Sequence, residues 1–350
     1  METEKQIIIN DDRRKFTTIT FSNYKKCNVI KNLIQSIYLK KIEESFFWTC
    51  ELLCTNCFIE LWNTYFMIMS KYIHISNPKL PIFMYKKFKD FKNIAMETSD
   101  DFQLRNNKDI RQIFCSITLI LSLSEKITIL DDLNYKFNFQ IENLYENLKA
   151  PSVEYINYIF KNGDPKEYII PFNELIYHLK ESKSKIDINF WINWIINYDC
   201  ICRKKKKIIL CQQRDFFACN NKNSSQNIIW IVWDILLKYS KNLTKNTRII
   251  IENLFNLFTI KYSISFNKKR IFLIYHCVEL ILLDKQINHN IELLVHKEEL
   301  KNLNNNISII FEQIKKNEKK EIEEKEKKVD KNVTNSSKKM IIFEEIYNKL

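Results

Sequence analysis

The stretch FFWTCELLCTNCFIELWNTYFMIMSKYIHI, residues 46–75, decides the fold class. It contains neither glycine nor proline, and its large apolar residues recur at the three- and four-residue spacing of a buried helix. These residues are Trp48, Leu52, Phe58, Leu61, Trp62, Phe66 and Met69. Glu51, Glu60 and Lys71 interrupt the stretch, which argues against a membrane span. The pattern predicts one long buried helix with Ser45 as its N-cap.

The whole chain has 350 residues but a single glycine, Gly163, and 5 prolines. Phosphate-binding loops, dinucleotide-binding turns and nucleophile elbows need glycine where the backbone takes a positive φ or comes close to a ligand. The composition therefore excludes the common nucleotide-binding and hydrolytic folds. It predicts an all-α protein, a multi-helix bundle or irregular helical array in two subdomains. At most a minor extended segment is expected near 125–140, where apolar residues alternate.

The pattern of helix starts, breaks and charge divides the chain into six predicted parts. They are a flexible or partly extended arm (1–22), a helical subdomain (23–124), a connecting segment (125–149), a second helical subdomain (150–303), a charged tail (304–339) that is disordered or a solvated helix, and a short amphipathic segment (340–350). In the second subdomain, Asp164-Pro165-Lys166-Glu167 predicts a helix start with Asp164 as N-cap.

The cysteines and the first residues bear on the compartment. The chain has 10 cysteines, and it begins METEKQIIINDDRRK, without the apolar core of a signal peptide. No apolar run reaches the roughly 18 residues that a transmembrane helix needs. We therefore expect an intracellular protein in a reducing compartment, with no membrane partner and mostly free thiols.

A basic, cysteine-containing loop is predicted at 203–225. Cys200, Cys202, Cys211 and Cys219 lie in or directly before it, so a zinc site formed by these four thiols is one hypothesis. Structural zinc sites usually use two close cysteine pairs, and only one close pair is present here. Incidental thiols in a solvated loop are the alternative. No other cofactor is expected.

Motifs of common enzymes are missing from the sequence, so enzyme function is disfavoured. Cys50, Cys54 and Cys57 have the spacing of an iron–sulfur motif but lie in a helical pattern, which favours core packing. His74 is interpreted as a satisfied histidine at a helix end. Glu174 and His178 are spaced as a metal pair, but the second helix that a di-metal bundle needs is absent.

The formal charge of +13 suggests an acidic partner or nucleic acid. The candidate contact residues are Arg203, Lys204, Lys205, Lys206, Lys207 and Arg214 of the basic loop, with Lys71 and Lys79 at the end of the long helix. Amino acids of A/T-rich codons dominate the chain, and only eight of its 55 basic residues are arginine. Because base-reading surfaces favour arginine, codon bias is an alternative origin of the charge.

Two tryptophan pairs, Trp191/Trp194 and Trp230/Trp233, each share one helical face. Stacking of nucleic-acid bases on these rings is conceivable. Two buried stripes that face each other across a helix pair are the simpler interpretation, because tryptophan buries a large apolar area.

Five segments carry a resemblance to known sequences: residues 46–88, LRNNKDIR (104–111), LKAPSVEY (148–155), FWINWIINYDCICRKKKK (190–207) and IIWIVWDILLKY (228–239). Together they resemble an uncharacterised protein family of large nucleocytoplasmic DNA viruses of algae and protists. The resemblance covers about residues 20–240. It implies a setting, the host cytoplasm, viral factory or virion, but no mechanism.

Three functions remain open at this point. The first is a non-enzymatic interaction protein of a viral replication, transcription or packaging assembly, with protein partners and nucleic-acid contact through the basic loop. The second is a virion structural component whose charge is incidental. The third is an enzyme with a dispersed site that sequence does not reveal.

Overall fold

The computed structural model describes residues 7–11, 13, 16–98, 100–127, 135, 137, 139, 141–291, 293 and 303–318. Regular structure in these residues is helical, apart from an isolated bridge between Ile19 and Lys25, which confirms the all-α prediction. The α-helices are α1 (Lys26–Tyr38), α2 (Ile42–Cys54), α3 (Phe58–Ile68), α4 (Leu80–Glu97), α5 (Lys108–Leu123), α6 (Ile169–Tyr177), α7 (Lys185–Lys204), α8 (Lys222–Ser225), α9 (Ile229–Ser240), α10 (Lys245–Thr259), α11 (Phe266–Lys269), α12 (Ile271–Leu282) and α13 (Leu303–Lys315).

The single long helix predicted over 46–75 is wrong in its continuity. The stretch is buried, but α2 ends at Cys54, α3 begins at Phe58, and a π-helical turn (Met69–Ile73) follows α3. Ser45 lies inside α2, where its hydroxyl donates to the carbonyl of Lys41 at 2.7 Å instead of capping the helix. Apolar periodicity therefore identified the helical stretch but not its breaks.

The helix breaks use lysine and asparagine in the place where glycine is usual. After α1, the amide of Lys41 donates to the carbonyl of Ser36 at 2.9 Å and the amide of Lys40 to that of Ile37 at 3.2 Å, which is the Schellman end of a helix. The residue in the left-handed slot is Lys40, with φ 58°. Asn56 after α2 (φ 56°) and Lys206 after α7 (φ 59°) occupy the same slot with the same bond pattern. Scarcity of glycine thus did not remove these turns.

We expect glycine at these slots to stabilise the protein. A non-glycine residue in the left-handed region costs about 1–2 kcal/mol, and glycine removes this cost. Part of the gain is lost again, because glycine has more conformational freedom in the unfolded chain. Lys40→Gly and Lys206→Gly should each raise the free energy of unfolding by about 0.5–1 kcal/mol. Lys204→Gly, in the last helical turn of α7, is the matched control and should lower it by a similar amount. Urea denaturation measures all three, and a loss in the first two would contradict the argument.

The chain divides into two compact units that do not follow the predicted subdomains. The first unit contains the described residues within Met1–Leu61, Asn93–Leu119 and His296–Leu350, and the second those within Trp62–Lys92 and Ile120–Val295. Residues 62–92, expected in the first subdomain, pack with later residues instead. The sequence pattern does not show which distant segments pack together, so it could not predict this division.

Within the first unit, the N-terminal arm and α13 are both held by side chains. The arm has no regular secondary structure from residue 7 to 11, and Asn106 pairs with the backbone of Ile9 through two bonds of 2.9 Å. Arg111 donates to the carbonyl of Ile7 at 2.7 Å, and its guanidinium lies 3.7 Å from the ring centre of Phe311.

The helix α13 corrects the expectation of a disordered or solvated tail at its beginning. It packs against α2 and buries Ile307, Phe311 and Ile314. These three residues have the spacing of one helical face. The charged residues that follow them predict a solvated tail instead, which is why the sequence does not indicate that this helix is packed. The predicted segment 340–350, the rest of the tail beyond 318, and most of the alternating stretch 128–140 lie outside the described residues.

Within the second unit, α6, α7, α9, α10 and α12 pack around aromatic rings. All four tryptophans of the two pairs are buried, so their predicted place in the core is confirmed and they offer no face to a base. The expectation that the two pairs face each other is not: their ring contacts are with other aromatic residues. The rings of Trp230 and Trp233 contact Phe255 and Phe258 of α10, while Trp194 stacks on Tyr198 at 4.8 Å. Among the helices described, none has the length and apolar content needed to cross a membrane.

Candidate functional site

The lysine cluster, Lys204, Lys205, Lys206 and Lys207, lies at the end of α7, and its four side chains are exposed. The Schellman turn centred on Lys206 fixes the backbone between the helix and the following loop. Lys207 forms an exposed ion pair with Glu167 at 3.2 Å. The cluster therefore presents concentrated positive charge on a defined backbone.

Arg214, predicted to contact a partner, is instead an internal anchor of the loop, which corrects that prediction. Its side chain is 1% exposed and holds the carboxylate of Asp164 through two bonds of 2.7 and 2.8 Å. Its Nε donates to Asp234 of α9 at 3.1 Å, and Nη1 donates to the carbonyl of Gln212 at 2.7 Å. A guanidinium so engaged has no capacity left for phosphate.

The same contacts correct the predicted N-cap. The carboxylate of Asp164 accepts bonds from Arg214 and from the amides of Lys161 and Gln212. The turn that precedes α6, Lys166–Tyr168, has no side-chain cap. A buried arginine was the stronger competitor for this carboxylate, because a charge-assisted bidentate pair is stronger than a cap.

Arg203 is the second predicted contact residue that serves the fold. Its Nε bonds both oxygens of Asp199, one turn earlier on α7, at 3.0 and 2.9 Å. Asp199 also accepts from Asn227 at 3.3 Å, and Asn227 in turn accepts from Asn267 at 2.9 Å. This polar chain ties the end of α7 to the segments before α9 and α12. Of the predicted loop residues, the lysines face solvent and the arginines hold the loop.

The predicted zinc site is not formed. Cys202 is buried on α7, Cys200 is half-buried, Cys219 is exposed, and Cys211 is buried where its thiol donates to the carbonyl of Asn227 at 3.2 Å. Burial raises the pKa of Cys211 to about 12, which disfavours the thiolate that zinc requires. Nowhere in the described part of the chain do three or more His, Cys, Asp or Glu side chains converge on a possible metal position.

The iron–sulfur spacing also reflects packing. Cys50, Cys54 and Cys57 are buried, and Cys57 lies in the break between α2 and α3, so the three do not continue along one helix. Glu174 is engaged as well, since its carboxylate accepts the amides of Lys149 and Ala150 at 3.0 Å each. Its partner His178 bonds the hydroxyl of Ser182 at 2.6 Å.

Lys71 and Lys79 lie on different elements from the lysine cluster. Lys71 belongs to the π-helical turn, and its ammonium lies 5.0 Å from the ring centre of Phe272. Lys79 lies in the turn before α4 and is half-buried. Neither position adds exposed charge comparable to that of the cluster.

The fold brings two further lysines towards the cluster, from positions that the sequence pattern does not connect with it. Lys268 donates to Asn197 at 2.8 Å, on the α7 face two turns before Lys204. Lys161 donates to the carbonyl of Gln213 in the loop at 3.4 Å. Lys166 lies near the cluster as well, because its neighbour Glu167 pairs with Lys207. For this lysine the sequence offered one indication, its place in the Asp-Pro-Lys-Glu motif.

A second unusual site surrounds His74, which is not the satisfied histidine that was expected. It is 1% exposed, takes a φ of 29°, and neither ring nitrogen has a hydrogen-bond partner. Its ring centre lies 6.0 Å from that of the buried His276, whose Nδ1 is 3.4 Å from the hydroxyl of Ser70. Burial lowers the pKa of both imidazoles. Among the described residues, the only hydrogen bond of the pair is the one between Ser70 and His276, so His74 is held in a strained backbone conformation without a polar partner for its ring.

Comparisons of this chain with known protein families, with curated proteins and with solved structures found no match. The viral resemblance of the sequence therefore stays a prediction.

Proposed function

We propose that this chain is a non-enzymatic interaction protein that binds nucleic acid through the lysine cluster, within a viral replication, transcription or packaging assembly. The observation that carries the proposal is the separation of roles in the basic loop. The guanidinium of Arg214 is engaged by buried carboxylates and Arg203 bonds Asp199 through its Nε, while four adjacent lysines remain exposed on the turn beside them. The viral setting rests on the sequence resemblance alone.

The chemistry of the cluster favours phosphate over base edges. A lysine ammonium is a compact point charge without the planar fork that reads guanine or a carboxylate in two bonds. Lysines that contact phosphate give affinity and orientation but little sequence preference. We therefore expect binding that depends strongly on salt and weakly on sequence, because each contact releases counterions.

Neutralising the cluster should weaken nucleic-acid binding. Lys204→Gln, Lys205→Gln and Lys206→Gln, combined in one variant, remove three candidate phosphate contacts but spare the pair of Lys207 with Glu167. For duplex DNA, the slope of log affinity against log salt should become shallower by about 3, roughly one for each contact. Fluorescence polarisation with a labelled duplex over a salt series measures this slope.

The matched control removes the same charge elsewhere in the second unit. Lys86, Lys89 and Lys92 are exposed on α4, and changing them to glutamine lowers the formal charge from +13 to +10, as the cluster variant does. This control should keep the affinity and salt slope of the parent chain. Equal losses in both variants would show that binding follows net charge alone and would reject the cluster as the site.

A further inference from the structure

A single segment, residues 153–168, runs along the surface of the second unit and ends beside the lysine cluster. The carbonyl of Tyr158 accepts from Lys238 of α9 at 3.2 Å. Further on, Lys161 donates to the carbonyl of Gln213 at 3.4 Å, and Glu167 pairs with Lys207 at 3.2 Å. The segment therefore leads from α9, past the basic loop, to the end of α7.

Tyrosine rings line the first part of this path. Tyr158 is 53% exposed, and Tyr155 lies edge-on to Tyr177 of α6 with ring centres 5.3 Å apart. Tyr239 of α9 is half-buried one residue after Lys238, whose ammonium bonds the carbonyl of Tyr158. These four residues, Tyr155, Tyr158, Tyr177 and Tyr239, with the lysines around them, form what we call the tyrosine–lysine strip.

Lysines alternate with the rings along the strip. The ammonium of Lys180 lies 5.8 Å from the ring centre of Tyr155, and that of Lys183 lies 4.9 Å from the ring centre of Tyr239. The lysines of the strip are Lys161, Lys166, Lys180, Lys183, Lys207 and Lys238, and the carboxylates beside them are Glu154, Glu167, Glu181 and Asp234, which pairs with Lys238 at 3.4 Å. The lysines outnumber these carboxylates, so the strip has a positive excess.

We propose that the tyrosine–lysine strip binds a single-stranded polynucleotide, whose bases stack on the tyrosines and whose phosphates follow the lysines into the lysine cluster. This inference rests on the function proposed above and adds the form of the nucleic acid. Surface aromatic rings bind unpaired bases because every base has a stacking face, and a duplex hides those faces. A folded acidic protein would use the lysines but would have no unpaired base for the rings.

The test compares leucine at two tyrosines with leucine at a control tyrosine. Tyr155→Leu and Tyr158→Leu remove stacking rings but no charge, and Tyr38→Leu removes a tyrosine that is 39% exposed on α1 of the first unit. The probes are labelled oligo(dT) and oligo(U) of about 12 nucleotides, a length within the usual site sizes. A DNA duplex of the same length is the third probe. Circular dichroism confirms that each variant keeps the parent helicity.

Each of the two strip variants should weaken binding of the single strands about tenfold, since a stacked base contributes roughly 1–3 kcal/mol. Their duplex affinity and salt slope should equal those of the parent chain and of Tyr38→Leu. The difference between oligo(dT) and oligo(U) identifies which polynucleotide the strip prefers, and either preference supports the inference.

Two failures are distinguishable. If the strip variants bind single strands as tightly as Tyr38→Leu does, while the lysine-cluster variant loses affinity for the duplex, the strip is rejected and the proposed function stands. If the parent chain binds none of the three probes at low salt, both proposals are rejected.

Discussion

Replacing Arg214 with methionine should lower the free energy of unfolding of the second unit by about 3–5 kcal/mol. Methionine fills similar space but leaves the carboxylate of Asp164 buried without its cation, while Asp234 keeps only its pair with Lys238 at 3.4 Å. An uncompensated buried charge costs far more than the intact pair contributes. Urea denaturation followed by tryptophan fluorescence measures the loss, because all tryptophans except Trp48 belong to this unit.

The control for this prediction is Arg248→Met on α10. Arg248 pairs with Glu252 at 2.8 Å, but both side chains are about half exposed, so the loss should stay below about 1 kcal/mol. The double variant Arg214→Met with Asp164→Asn should regain part of the stability, since it removes the buried charge that Arg214→Met leaves without a cation. A loss for Arg214→Met no larger than that of the control would contradict the anchoring role.

Anchoring also connects stability to the proposed function. If Arg214 holds the loop, Arg214→Met should let trypsin cleave the backbone after the lysines of the cluster at trypsin concentrations that leave the parent chain intact. The reason is that cleavage requires local opening of the backbone, although the lysine side chains are already exposed. Arg248→Met should cleave there no faster than the parent chain.

Acidification should destabilise the second unit between about pH 6.5 and pH 4. Burial, with the charge of Lys185 acting in the same direction, lowers the pKa of His74 to about 4, whereas an unfolded histidine titrates near 6.5. The folded state thus favours the neutral ring, so its stabilisation is complete above pH 6.5 and is lost as pH falls towards 4. A shift of this size corresponds to about 3 kcal/mol. His276, whose pKa burial also lowers, acts in the same direction.

The variant His74→Asn separates this effect from general acid unfolding. Asparagine does not titrate, and it tolerates the positive φ of this position better than most residues do. Its stability, measured by urea denaturation in steps from pH 7 to pH 4.5, should fall much less than that of the parent chain. Identical slopes for His74→Asn and the parent chain would exclude His74 as the cause.

The fold class was predictable because helical periodicity and the near absence of glycine point the same way. The helix breaks were not predictable, because Lys40 and Lys206 adopt the left-handed conformation, which is uncommon for lysine. The single glycine is equally uninformative, since Gly163 does not have a positive φ. A β-carbon at this position would lie 3.3 Å from the side chain of Gln212, so close packing, and not backbone conformation, favours glycine here.

The sequence predicts where the candidate site lies, but not which of its basic residues are exposed and which form internal ion pairs. Consecutive lysines after a helix indicate an exposed basic turn, and the four lysines of the cluster lie there. Whether an arginine faces solvent depends on which carboxylates the fold brings to it, and Asp164 and Asp234 lie 50 and 20 positions from Arg214. The tyrosine–lysine strip has the same origin, since Tyr158 and Lys238 meet only in the folded chain.

The contact between α13 and α2 can form only late in synthesis. The helix α2 leaves the ribosome early, and its surface under Phe311 stays uncovered until residues near 311 emerge. At roughly 5–20 residues per second, that delay is on the order of tens of seconds. A ribosome that stalls after residue 300 would therefore release a chain in which the surface of α2 that Phe311 covers is still exposed.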